Sequence, residues 1–382
     1  MKIIIGGDLV PTESNNGLFE NGDVEALLGK ELLNIWRDSD IRIFNLEVPL
    51  TDKEDPIEKC GPNLIAPTKT VKGIKALEPS LVSLANNHIL DQGPKGLSST
   101  RDVLSEIGIP YIGVGDNLAK AAEPYIIEKD GIKLGVYSCA EHEFSIATES
   151  TPGANPFDPL ESLDHILSLK NRCDFVIVLY HGGKEHYRYP SPYLQKVCRK
   201  MVEKGADSVI TQHSHCIGCY EQYEGSTIVY GQGNFIFDHS ESEFWKTSLL
   251  VEVNLSNSVK TAYIPIVKAE EKVRVAEAKK AEEILTAFNK RSQEILSPGF
   301  VEEKYSECAS RSIDTYLRKL AGYGRWLSAL DRKILGGLLL RRKYSKRKLL
   351  AIQNYIECEA HRELLHSGIV RYSQILDAKG GR

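Results

Sequence analysis

From the first residues to about position 267, apolar positions fall into short β-branched runs, and the segments between them have the wider apolar spacing of amphipathic helices or the polarity of loops. This alternation predicts an α/β layered domain. Strands are expected at residues 2–6, 41–46, 80–85, 110–114, 133–139, 175–180, 208–211, 227–230, 249–254 and 261–267. Helices are expected at 94–107, which ends at Gly108, and at 192–204, which Ser191 can cap and Gly205 ends. Gly131 and Gly225 fall where hairpin turns are wanted. From Ala276 onward the strand signal fades, and segments rich in Glu, Lys, Leu and Arg run with helical spacing to about Leu376, broken near Pro298-Gly299 and Gly336-Gly337. The chain therefore divides into an α/β region, 1–270, and a helical region, 271–382.

Composition adds three constraints. With 382 residues, 42% of them hydrophobic, the chain can bury one sizeable core and support an accessory unit. The apolar run after Met1 is too short for a signal-peptide core, and no stretch approaches about 20 apolar residues, so a cytoplasmic chain is expected. Eight cysteines in such a chain read as reduced thiols, and Cys216 and Cys219 lack the second pair that a structural zinc site needs.

The net charge of −4 hides an asymmetry: residues 300–382 hold about 17 Lys and Arg against about 9 Asp and Glu. Residues 335–350 mix leucines with a dense cluster of cations. That segment reads either as a solvated basic face of a helical bundle or as a contact with the inner membrane surface or a synthase partner. No nucleic-acid-binding motif accompanies the charge.

Candidate chemistry lies at the strand ends. Asp8, Glu47, Asn87-His88, His181 and His213-x-His215 each fall at or just beyond the C-terminal end of an expected strand, the edge at which α/β sheets bind ligands. Imidazole and carboxylate together suit manganese, iron, zinc or related divalent ions. If 211–215 continues as extended chain, His213 and His215 point the same way. Two neighbouring cations need a shared anionic ligand, and Glu47 is the candidate.

The segments Gly7-Asp8, 45–51 (Asn-Leu-Glu-Val-Pro-Leu-Thr), Leu84-Ala85-Asn86-Asn87-His88 with Asp91 and Gly93, and Gln212-His213-Ser214-His215 resemble the ordered motifs of calcineurin-like metallophosphoesterases. Within that superfamily, Asn45-Leu46-Glu47, His181-Gly182-Gly183-x-Glu185 and residues 230–238 resemble the capsule-synthesis branch, the CapA family associated with poly-γ-glutamate and polysaccharide capsules. The resemblance covers about residues 1–267.

It implies a four-layer α/β/β/α sandwich with a helical C-terminal extension. It also implies one or two divalent ions: Asp8 and His215 on the first, Asn87, His181 and His213 on the second, and Glu47 bridging. His88 would lie over substrate as the catalytic group without binding metal. The superfamily's first motif reads Asp-x-His, whereas position 10 here is Val10, so the first ion lacks one expected ligand.

Asn45, His186, Tyr187 and Asn234 are weaker candidates for substrate contact, with turn or supporting roles as the alternative. Asp91 and Asp238 are expected to brace their loops. His142, His165, His239, His361 and His366 carry no motif and are expected at the surface or as satisfied core residues. The expected activity is metal-dependent hydrolysis, chiefly of phosphoesters, on a phosphorylated or polymeric surface-glycan substrate in capsule synthesis. A non-hydrolytic assembly protein and a metal-dependent amide hydrolase are the alternatives.

Overall fold

A computed structural model of the chain describes residues 1–238, 240–256 and 258–380, the last four by backbone alone. Its strands are β1 (Lys2–Val10), β2 (Ile41–Leu46), β3 (Leu81–Ser83), β4 (Tyr111–Ile112), β5 (Val114–Gly115), β6 (Tyr125–Lys129), β7 (Ile132–Ala140), β8 (Gly153–Ala154), β9 (Phe175–His181), β10 (Ser208–Gln212), β11 (Ile217–Tyr223), β12 (Ser226–Gln232), β13 (Asn234–Phe237), β14 (Thr247–Leu255), β15 (Val259–Ala269) and β16 (Lys272–Val275). Its helices are α1 (Asn16–Asn21), α2 (Val24–Arg37), α3 (Val71–Ala76), α4 (Gly93–Glu106), α5 (Leu118–Ala121), α6 (Ser162–Lys170), α7 (Pro192–Glu203), α8 (Ala278–Glu294), α9 (Phe300–Leu320), α10 (Arg325–Lys333), α11 (Leu338–Lys343), α12 (Lys346–Glu357) and α13 (Glu359–Gly380).

Two large sheets form the α/β part. The first runs β16-β15-β14-β1-β2-β3-β4, with β13 pairing β1 beyond the end of β14's ladder, and the second runs β11-β12-β10-β9-β7-β6. Each has a block of parallel strands, β1 to β4 reaching one edge of the first sheet and β7-β9-β10-β12 at the centre of the second, with antiparallel strands beyond.

Side-chain alternation explains the layering. Ile3, Ile5, Ile41 and Ile43 of the first sheet meet Leu134, Val136, Ile177, Leu179 and Ile210 of the second, which makes the central core. The residues between them point outward. Ile4, Phe44 and Val82 pack on Phe19, Leu27, Ile74 and Leu104 from helices over the first sheet, while Tyr137, Val178 and Val209 pack on Ile166, Leu169, Val197 and Met201 over the second. The result is the four-layer α/β/β/α sandwich.

Local punctuation follows the chain chemistry. Ser191 caps α7, its side chain accepting from Leu194 N, and Pro192 opens that helix. Gly131 and Gly225 take φ of +76° and +83° in their hairpin turns. The boundary expected near residue 270 falls ahead of α8, whose Ile284 and Phe288 pack on Ile217 and Leu249 of the sheets. The chain divides instead into compact units 1–305 and 306–382.

Candidate metal centre

β1 is held apart from a plain ladder by its glycines. It pairs with β14 over Lys2 to Ile5 and then with β13 over Asp8 to Val10, the second ladder shifting register between Asp8 and Leu9. A Cβ on Gly7 would stand 1.9 Å from the Gly233 carbonyl oxygen, so only glycine admits the two backbones here. The exchange of partners places Asp8 opposite both Asn45 of β2 and Asn234 of β13.

Glu47 follows β2, Asn86 to His88 follow β3, His181 ends β9, and His213 to His215 follow β10. These parallel strand ends share one edge, and Asp8, Glu47, Asn87, His181, His213 and His215 are all buried there. The expectation that 211–215 stays extended is corrected: β10 stops at Gln212, and His213 and His215 take left-handed φ of +85° and +51°. The chain turns to deliver both rings, a conformation that a non-glycine residue holds only where its surroundings enforce it.

Glu47 is fully buried, and among the described residues none gives a hydrogen bond to either carboxylate oxygen, although His181 Nε2 lies 3.1 Å from Oε1. The same ring nitrogen is 2.9 Å from Asn87 Oδ1 and 3.1 Å from His213 Nδ1. One nitrogen carries one proton or one lone pair, so it cannot satisfy all three neighbours. A divalent cation would satisfy them together, and the donor set fits one.

Ligand atoms of Glu47, His181 and His213 lie within 4.8 Å of one another, and so do those of Asp8, Glu47 and His215. Glu47 belongs to both groups. Burial, aided by the nearby Asp8 charge, pushes its carboxyl up to about 8, and burial holds His181 and His213 below the ordinary histidine value. Each shift describes a metal-free centre that resists holding a bare charge.

The supporting contacts are specific. Asn45 Nδ2 donates to Asp8 Oδ1 at 2.8 Å, and Asn86 orients Asn45 at 3.1 Å. Asn234 Oδ1 lies 2.9 Å from His215 Nδ1, which makes Nδ1 the protonated nitrogen and leaves Nε2 as the ligand atom. Trp245 stacks on His215 at 4.7 Å and donates to His186 Nε2 at 2.9 Å. Tyr187 packs against Tyr189 and Tyr305.

His88 stands in neither group. Its Nδ1 lies 2.6 Å from Asp91 Oδ2, and Asp91 also pairs with the buried Lys59 and accepts from Leu64 N at 2.6 Å. Of the remaining histidines, His165 sits against the Tyr137 hydroxyl at 3.2 Å, His142, His361 and His366 are exposed, and His239 lies outside the described residues. Asp238 pairs with Lys268. Val10 packs into the helix-side core of the first sheet.

Sequence reading missed Lys59, Glu141, Glu143 and Trp245. Glu143 accepts from Asn87 Nδ2 at 3.2 Å, and Glu141 accepts from Gly183 N at 3.0 Å. Both acids follow β7, so the strand-end rule that picks out Asp8 and Glu47 extends to them.

Comparison with known proteins finds relatives of the α/β region. The chain is 31% identical over 232 residues to a capsule biosynthesis protein CapA of Bacillus anthracis, covering 58% of this chain and 56% of that one. It is 29% identical over 230 residues to a PGA biosynthesis protein CapA of Bacillus subtilis, covering 59% and 60%. It thus spans little more than half the length of these relatives. Among solved structures, one described as a novel phosphatase of Mycoplasma pneumoniae superposes with a TM-score of 0.42 at 16% identity, covering 71% of this chain and 94% of that chain. A model of the bacterial capsule synthesis protein family, PGA_cap, matches residues 2–239, and the chain belongs to that family.

Proposed function

We propose that this protein is a divalent-metal-dependent hydrolase of phosphoester bonds that serves the synthesis of a capsule or other surface polymer, polysaccharide or poly-γ-glutamate. The observation that carries this reading is the buried Glu47 carboxylate, without a hydrogen bond among the described residues and common to two groups of ligand atoms. Asp8 and His215 would hold one ion, Asn87, His181 and His213 the other, and Glu47 both, with manganese, iron or zinc suiting the donors. Bound there, the ions would supply Lewis acidity and an ionised water.

The chain's own residues do the rest. Asn45 fixes the Asp8 carboxylate, and Asn234 fixes the His215 tautomer. Asp91 engages His88 Nδ1, so Nε2 is the nitrogen left to meet substrate and pass a proton to the leaving oxygen. The burial of Asp91 and Lys59 keeps that ring from turning away. His186, whose ring centroid lies 6.2 Å from that of His215 and whose Nε2 accepts from Trp245, borders the centre beside His215.

A second reading has its own observation. Val10 packs in the core, so the first ion has fewer protein ligands than the superfamily motif provides, and a scaffold that binds one ion without turnover fits that loss. Metal analysis of the purified protein, paired with assays on generic phosphomonoester and phosphodiester substrates, separates the two. The hydrolase reading expects about two equivalents of metal, turnover, and loss of turnover in His88→Ala and His213→Ala. Turnover that is absent, or unchanged in both variants, overturns it.

A further inference from the structure

The helical unit reverses the usual order of burial in α10. Asp331 is fully buried, and its carboxylate accepts from Leu339 N at 2.8 Å and lies 3.3 Å from Arg318 Nη2. That anchor fixes the rotation of the helix. Trp326, Leu330 and Ile334, four residues apart, consequently stand on one outward face, 91%, 42% and 74% exposed. Leu335 and Leu338 continue the apolar surface. A helix facing only water gains by burying this stripe and exposing its carboxylate.

The charge around this face is of one sign. Residues 325–348 contain nine Lys and Arg against one acid, the buried Asp331. Arg341, Arg342, Lys343, Lys346, Arg347 and Lys348 are exposed. Among the described residues, no carboxylate pairs with any of these six.

We propose that α10, α11 and the start of α12 dock on an anionic lipid surface. Trp326, Leu330 and Ile334 enter the boundary between headgroups and acyl chains, and the cation cluster meets the lipid phosphates. Charge complementarity and the apolar stripe select this occupant together. A soluble polyanion would answer the cations but leave the stripe in water, and a second copy would set one cationic face against another. Cations near an anionic membrane are drawn to it, and indole rings favour the interface. No described helix is long and apolar enough to cross a membrane, so the contact is with the surface. This docking is independent of the metal centre.

The test is co-sedimentation of the full chain with vesicles of phosphatidylcholine alone or mixed with phosphatidylglycerol. Binding is expected only with phosphatidylglycerol, with a blue shift of tryptophan emission and weakening by salt. The double variant Trp326→Ser/Ile334→Ser should bind about tenfold more weakly or worse. The triple variant Arg341→Gln/Arg342→Gln/Lys343→Gln should lose about a hundredfold. All five positions are exposed, and circular dichroism checks that helix content is kept. Absence of vesicle binding overturns the proposal, as does full binding by the Trp326→Ser/Ile334→Ser variant, which would leave a purely electrostatic site. Dimerisation that the same double variant abolishes, without vesicle binding, overturns it in favour of a second copy.

Discussion

Glu47 holds a carboxyl where water does not reach, and in the metal-free protein burial and the Asp8 charge raise it to about 8 from an ordinary 4.5. The sign of its linkage follows. A raised folded-state value means that the stability present below the unfolded value is lost as pH rises through the folded one, here between pH 4.5 and 8. His181 and His213, held low by burial, act oppositely: their protonation on unfolding lowers stability as pH falls below the ordinary histidine value. Glu47→Gln isolates the carboxyl, because the amide mimics its protonated form. In chelator-treated protein the variant should match the parent near pH 4.5 and exceed it by a few kcal/mol at pH 8. Added manganese should stabilise the parent and leave the variant nearly unchanged. Urea denaturation at both pH values measures this, and parallel curves for the two proteins would remove Glu47 from the centre.

At the scale of elements, the centre depends on how close β13 can come to β1. Gly7 faces the Gly233 carbonyl with no room for a methyl group, and a Cβ on Gly6 would stand 2.7 Å from the Phe235 ring. Gly7→Ala should therefore cost about 3 kcal/mol and displace Asp8 from its partners on β2 and β13. Gly225→Asn, in an open turn at φ +83°, should cost about 1 kcal/mol or less. Urea midpoints read both, and equal losses would contradict the packing argument. The same strands show how far the sequence could be read. β1, β2, β9 and β10 announce themselves because buried parallel strands are near-continuous apolar runs, so the polar residue that ends each run stands out. β13 lies between Gly231 and Gly233 and the acid Asp238, which mask so short a strand. β11 breaks its pattern with the buried Glu221, whose charge is answered by Arg199 from α7, a contact no local pattern reveals. Lys59 and Trp245 reach the centre from loops whose paths depend on tertiary packing, whereas Asp8 and His181 reach it from strands whose direction the pattern already implies.

Over the whole molecule, burial is distributed very unevenly. Residues 1–305 carry the four hydrophobic clusters almost entirely, while the described side chains from 306 onward bury only Leu317, Arg318, Asp331 and Leu340. α12 buries none. Stability follows buried area, so the two units should not melt as one. Two transitions are expected on heating in the absence of lipid: a broad, low one in helical signal from the C-terminal unit and a sharp, higher one from the sandwich. The candidate ligands meet only in the folded sandwich, so a saturating divalent ion should raise the upper transition by several degrees and leave the lower one in place. Hydrogen exchange should agree, with fast amides in α12 and α13 and slow ones in β1, β2, β9 and β10. A single transition that metal shifts as a whole would mean that the two units unfold cooperatively, and the helical unit would then draw its stability from the sandwich rather than from its own four buried residues.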